Sequence, residues 1–264
     1  MEIISVINQK GGVGKTTTVI NLAAGLSQLK KRILVIDLDP QGNATTGLGL
    51  SNLDNSSDTI YGVLNGSKEI TQVIKKTKFD DLDIITSNVD LSGLEVETAD
   101  DSNRAFILKA KLTAYLNNSG GSYDYVLIDC PPSLSLLTVM ALVSSSSLLV
   151  PLQTEFFALE GLTQLMKTID RIKVNLNPDL KIRGILLTMY DKRNKLSSEV
   201  EREARDYFNE KVYSTVIPRN VRLSEAPSHG MPVLIYDKSC PGSKSYFNFT
   251  DEFINQELKK ESAA

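Results

Sequence analysis

The stretch Met1–Leu29, MEIISVINQKGGVGKTTTVINLAAGLSQL, passes from a short apolar β-branched run through a glycine-rich turn into a helical pattern. Ile3–Ile7 reads as a buried strand and Thr17–Leu29 as a helix, so the turn NQKGGVGKTT at Asn8–Thr17 joins strand to helix. Glycines in such a turn let backbone N–H groups approach an anion, and the helix behind them points its positive end at the same place. Lys15 would neutralise the β and γ phosphates of a bound nucleotide, and Thr16 would offer a hydroxyl to Mg2+. The competing reading is a turn that only starts a helix; the strand before it, the helix after it and two lysines argue for phosphate. Gln9 stands where the strict phosphate-loop pattern has glycine.

The same alternation continues outward. Ile33–Asp37, Leu82–Thr86, Tyr125–Asp129, Leu148–Leu152, Gly184–Met189 and Val212–Val216 are continuous apolar runs, as in strands buried on both faces. Helical patterns fall between them at Arg104–Leu116, Leu159–Val174 and Ser198–Asn209, the last with a serine cap. The expected fold class is α/β: a doubly wound, mostly parallel sheet flanked by helices, in one domain over residues 1–264. Leu50–Asp101 is the least regular part and should hold short helices on the sheet rim. Ser144–Ser147 reads as a helix-to-strand loop. Ser243–Leu258, with Phe247, Phe249, Phe253, Ile254 and Leu258, reads as a helix docked on the core rather than on a membrane, because Asp251, Glu252, Glu257 and Glu261 share its polar side with Lys259 and Lys260.

Composition bounds the function. The 264 residues carry 29 Lys+Arg against 32 Asp+Glu, a net charge of -3, with 41% hydrophobic content. Disorder, a fibrous rod and a generic polycation are excluded. Two cysteines and one histidine are too few for a Cys/His zinc site and suit a reducing cytosol. No leader-like start and no apolar run of membrane-spanning length occur, so a cytoplasmic location is expected.

Two further acidic strand ends fit nucleotide chemistry. ILVIDLDPQGN at Ile33–Asn43 places Asp37 and Asp39 at the carboxyl end of a strand, the edge where open α/β sheets bind ligands. Asp37 would support a Mg2+ shell; a helix cap or solvated turn is the alternative for either acid. VLIDCPP at Val126–Pro132 ends a buried strand in Asp129, which can hold a metal's water shell, before a proline-stiffened turn.

The run KGGVGKTT at Lys10–Thr17 resembles the deviant Walker A motif of the ParA/MinD family of P-loop ATPases. That resemblance implies an ATP- and Mg2+-dependent ATPase with Lys10, Gly11, Gly12, Val13, Gly14, Lys15, Thr16 and Thr17 on the nucleotide. It implies that Lys10 reaches the phosphates of the other subunit in an ATP-dependent sandwich homodimer. It also makes Asp39 the switch I residue that orients the attacking water, and Asp129 the Walker B acid. Lys10, Lys15 and Asp39 are then the catalytic set, and Thr16, Asp37 and Asp129 the metal set.

LVPLQTEFFALEGL at Leu149–Leu162, TMYD at Thr188–Asp191 and VIPRNVRLSEAPSHG at Val216–Gly230 resemble the Soj-type chromosomal ParA branch. The likeness implies that Pro218 and Asn220, with Met189, lie near the adenine. It implies non-specific double-stranded DNA binding by Arg193, Arg219 and Arg222, nucleoid association when ATP-bound, and a ParB-like centromere-binding partner that stimulates hydrolysis. A solvated charge or a local ion pair is the competing reading for each arginine, and suits Arg202 and Arg205 better. Residues 181–244 hold 12 basic and 8 acidic side chains, so the basic excess is regional. Met231 stands where such chains commonly have lysine, and Ser144–Ser147 where Ala and Asp are more usual. A MinD-like membrane-cycling regulator is the alternative, which the acidic tail disfavours. A related iron protein would need two cluster cysteines, and Cys240 lies far along the chain from Cys130.

Overall fold

Short runs of Ile, Leu and Val cannot solvate both faces of a strand, and here they line up between helices as one sheet. The computed structural model of the chain describes residues 1–50, 56–119 and 123–261, with backbone only for Ser56, Ser119 and 257–261. In chain order the elements are β1 (Glu2–Val6), α1 (Lys15–Gln28), β2 (Ile33–Asp37), α2 (Asn43–Gly47), α3 (Ile60–Leu64), α4 (Ile70–Val73), β3 (Ile74–Lys76), β4 (Leu82–Ile85), α5 (Leu94–Glu97), α6 (Ile107–Ser119) and β5 (Tyr125–Asp129). They continue with α7 (Leu136–Ser144), β6 (Ser147–Gln153), α8 (Ala158–Asn175), β7 (Lys181–Tyr190), α9 (Lys195–Phe208), β8 (Val212–Pro218), α10 (Val221–Glu225), α11 (Val233–Tyr236) and α12 (Pro241–Glu261).

The eight strands run in the order β3-β4-β2-β5-β1-β6-β7-β8. Every neighbouring pair is parallel except β3 with β4. β1 sits at the centre, in register with β5 through Ile4↔Leu127 and with β6 through Ile4↔Ser147. The chain therefore winds outward in both directions from β1, and ligand crevices open at the carboxyl ends of the strands where the winding reverses. The loop Asn8–Gly14 leaves β1 at that point.

Helices cover both faces. Ile4, Val6 and Val35 pack with Val19, Leu22 and Leu26 of α1 and with Phe249 and Phe253 of α12. On the opposite face Ile36, Ile85 and Ile128 pack with Leu108, Leu112 and Met140. α8 and α9 close the far end through Leu165, Ile169 and Val200 against Leu148, Val150 and Ile185. Phe253 and Phe249 are fully buried, so the tail helix docks on the core as its pattern indicates. It also blunts an exposed sheet edge: Glu252 accepts the β8 N–H groups of Ser214 and Thr215 at 2.6 and 2.8 Å. The part of that reading that concerned the side chains of Glu257, Leu258, Lys259, Lys260 and Glu261, and the start of the irregular segment at residues 51–55, lies outside the described residues.

Some boundaries differ from expectation. Helix α9 starts at Lys195, and its cap is Asn194, whose side chain accepts the Leu196 N–H at 3.0 Å, not a serine. The helix expected from Arg104 opens with a 3-10 turn over Arg104–Phe106 before α6. The serine run is a junction: Ser144 ends α7, Ser147 begins β6, and Ser144 and Ser145 donate back to Met140 O and Ala141 O at 2.7 and 2.8 Å.

Candidate nucleotide site and basic loops

The loop after β1 is shaped by its own hydrogen bonds. Asn8 Nδ2 donates to Pro151 O at 2.8 Å, and Asn8 Oδ1 accepts the Lys10 N–H at 3.0 Å, which anchors the loop to β6. Thr188 Oγ1 of β7 donates to Val13 O at 2.8 Å from the other side. Gly12 and Gly14 have φ of +74 and +91, values that disfavour side chains, so glycine is what this path requires. Gly11 faces Pro132 across the mouth of the loop. Helix α1 begins at Lys15 with no side-chain cap and no acid in its first turn. Its first N–H groups and positive dipole end thus stay available to an anion, flanked by Thr16 and Thr17.

Charges converge beneath this loop. Lys15 is buried and its Nζ donates to Lys10 O at 3.0 Å. Desolvation pulls its pKa down, against the attraction of Asp129, Cys130 and Asp39. Asp37 and Asp129 are register partners on adjacent strands, both fully buried. Burial pushes the Asp129 carboxyl well above the usual carboxylate range, Asp37 adds to it, and the nearby Thr16 hydroxyl opposes it without closing a hydrogen bond. Neither Asp129 oxygen has a hydrogen-bond partner. Two buried acceptor atoms without donors beside a threonine hydroxyl fit the water shell of a small divalent cation, which takes few protein ligands. No group of three or more His, Cys, Asp or Glu that could itself cage a metal occurs among the described residues.

Asp37 is arranged differently. Its Oδ2 accepts the N–H and Oγ1 of Thr45 at 2.8 and 2.7 Å, and its Oδ1 accepts the Asp39 N–H at 3.2 Å. Three donors from its own loop occupy it, which matches the cap alternative more closely than a metal shell. Burial raises its pKa to about 6, with the Thr45 bonds pulling the other way. Asp39 lies beside it and accepts the Gln41 N–H at 3.0 Å.

A cleft of about 410 Å³ opens next to Gly14 and Thr17, lined by Thr188, Met189, Pro218, Arg219, Asn220 and Tyr246 among others. Asn220 Oδ1 is buried there without a partner, and Met189 holds φ of +52, a rare conformation for a long side chain. Thr188 and Tyr246 are additions that the sequence did not single out; Tyr246 comes from α12, too distant in sequence to connect with a phosphate loop. Lys10 is half-exposed and its Nζ pairs with Glu155 of the same chain.

Arg193 and Arg219 lie on loops at the carboxyl ends of β7 and β8, and Arg222 lies in α10 just beyond β8. Arg219 N donates to Tyr190 O at 3.2 Å, which ties the two loops together. Arg193 is 90% exposed and forks onto Asp191 at 3.1 and 3.0 Å, and that hydrogen bonding holds the Asp191 carboxyl below its ordinary range. Arg222 is 50% exposed and pairs with Glu225 at 2.6 Å and Asp237 at 3.5 Å. Solvent screens such pairs, so they bind the arginines only loosely to their own chain. Among the described residues no helix is long and apolar enough to cross a membrane.

Known proteins resemble the chain in sequence and in fold. Residues 1–182 match a family described as an AAA domain. The chain is 50% identical over 264 residues to the chromosome partitioning protein ParA of Caulobacter vibrioides (strain NA1000 / CB15N), covering 100% of this chain and 98% of that protein. It is 48% identical over 251 residues to the sporulation initiation inhibitor protein Soj of Bacillus subtilis (strain 168), covering 95% and 97%. A solved structure of cobyrinic acid a,c-diamide synthase from Mycobacterium smegmatis with bound ADP and magnesium superposes with a TM-score of 0.80 at 34% identity, over 95% of this chain and 93% of that one. With the glycine-rich loop at the head of a central parallel strand and likeness to partitioning ATPases along its whole length, the chain belongs to the ParA/Soj family of P-loop ATPases.

Proposed function

We propose that residues 1–264 act as one nucleotide-timed DNA-partitioning ATPase. The observation that carries this reading is the buried Lys15, the first residue of a helix with no side-chain cap, drawn by the charge of Asp129, whose carboxylate oxygens have no hydrogen-bond partner. ATP with Mg2+ supplies the phosphoanhydride bond and the cation that shields its charge. Lys15 would exchange its bond to Lys10 O for phosphate oxygens, backbone N–H groups of Gly11–Thr17 would hold the anion, and Thr16 and Asp129 would hold the Mg2+. Asp39 orients the attacking water. Pro218, Asn220 and Met189 line the base, with the free Asn220 Oδ1 as an acceptor for an exocyclic amine.

Lys10 leaves Glu155 to reach the phosphates of a second copy, which makes dimerisation depend on ATP. In the dimer, Arg193, Arg219 and Arg222 of both copies face non-specific double-stranded DNA and trade Asp191, Glu225 and Asp237 for phosphates. Each phosphate contact releases counterions, so doubling a few arginines raises affinity steeply. A ParB-like partner speeds the slow hydrolysis and returns monomers to the cytoplasm, so that the nucleoid-bound form marks position for a chromosome or plasmid origin. A MinD-like membrane cycle is less well supported, since Tyr246, Phe249 and Phe253 of α12 are taken up by the core.

Phosphate release and nucleotide binding by two variants test this reading. Lys15→Ala is expected to lose nucleotide binding, and Asp39→Ala to bind ATP, dimerise and remain on DNA without turnover. Wild-type ATP affinity in Lys15→Ala, or rapid turnover in Asp39→Ala, would refute it.

A further inference from the structure

Asp37 is conspicuous because its carboxylate, at the end of β2, is spent on the loop that follows it. The loop carries Asp39 and then α2, a five-residue helix whose N-cap position, Gly42, has no side chain to offer. Both Thr45 donors converge on Asp37 Oδ2, at 2.8 Å from the backbone N–H and 2.7 Å from the hydroxyl. The same Thr45 Oγ1 accepts the Ser87 N–H at 3.1 Å. Ser87 lies just beyond β4, the strand paired with β2 through Ile36↔Ile85. Asp37, Thr45 and Ser87 are all fully buried, where each of these bonds is made without competition from water.

The geometry points to Thr45 as a positioning residue for Asp39, and this inference rests on the reading that Asp39 orients the water. Thr45 uses its hydroxyl as donor to Asp37 of β2 and as acceptor from Ser87 in the segment after β4, so one side chain pins α2 to β2 and to the chain leaving the neighbouring strand. With α2 pinned, Asp37 is held from one side, and its other oxygen fixes the Asp39 N–H at 3.2 Å. Asp39 therefore enters the site from a loop fastened at both ends. Losing the hydroxyl would leave Ser87 N–H without its acceptor and Asp37 with one donor fewer. The loop would then wander over distances that matter for orienting a water, while the phosphate loop, anchored by Asn8 and Thr188, would keep its shape. A hydroxyl is what the position requires; the methyl group of Thr45 is incidental.

Steady-state phosphate release over a range of ATP concentrations, with binding of a fluorescent ATP analogue measured in parallel, tests the role on Thr45→Val and Thr45→Ser. Thr45→Val is expected to lower kcat at least tenfold while KM and analogue affinity stay within twofold, and Thr45→Ser to keep kcat within threefold. Thermal unfolding is recorded for each variant, and Thr45→Ala, which keeps the backbone bond to Asp37, takes the place of a valine variant that does not fold. Wild-type kcat in the hydroxyl-free variant, or a serine variant as slow as valine, would overturn the proposal. Asp39→Ala assayed alongside separates the two claims: if it turns over normally the water-orienting reading fails, and if it alone is inactive the pin fails.

Discussion

Gly230 and Gly49 meet backbone to backbone: a Cβ built on Gly230 would stand 2.6 Å from the Gly49 Cα. Both have positive φ, +60 and +84. The contact presses the turn after α2 against the segment that follows Arg222, so neither residue has room for a side chain. Gly230→Ala is expected to cost roughly 1–3 kcal/mol, combining a left-handed backbone with the clash. Differential scanning calorimetry should show a fall of several degrees in Tm; an unchanged Tm would mean the two turns separate freely.

Phe253 tests what the tail helix is for. It is fully buried, meets the Tyr125 ring edge-on at 5.8 Å between centroids, and lies under the Arg183 guanidinium at 3.9 Å. Phe253→Ala should destabilise the fold by about 3–5 kcal/mol in urea unfolding. A helix kept for lipid would show the opposite pattern, with stability intact and binding to anionic vesicles reduced.

Asp37 gives the fold a pH dependence. Its folded pKa of about 6 lies above the ordinary value of 3.8, so between those limits the folded state keeps a proton that the unfolded state has released. Its contribution is therefore fully present below about pH 4 and declines as pH rises to about 6, by on the order of 3 kcal/mol. Asp129 is shifted the same way, so the comparison is between wild type and Asp37→Asn. Tm measured from pH 4 to 7 should fall less steeply in the variant. Equal slopes would assign the effect elsewhere.

Much of this architecture could be read in the sequence because buried parallel strands are continuous apolar runs: Tyr125–Asp129 and Ile33–Asp37 coincide with β5 and β2 to the residue. β3 was not legible, since Ile74–Lys76 is three residues long and its two lysines suit an edge. α7 was missed because Leu136–Ser144 is apolar nearly all round, buried on most sides and without helical periodicity. In the site, the phosphate loop was legible from glycine and lysine spacing. Thr45 and Ser87 were not, because their link to Asp37 joins residues 8 and 42 positions apart through one hydroxyl.

In the function proposed above, nucleotide controls adhesion to DNA. A gel shift with a random-sequence duplex at moderate salt, run with ATP, with ADP and without nucleotide, tests it most directly when wild type is compared with Arg222→Glu. A shift is expected for wild type with ATP alone, and none for Arg222→Glu although that variant still dimerises with ATP. A shift of equal strength without nucleotide, or an unimpaired shift by Arg222→Glu, would contradict it.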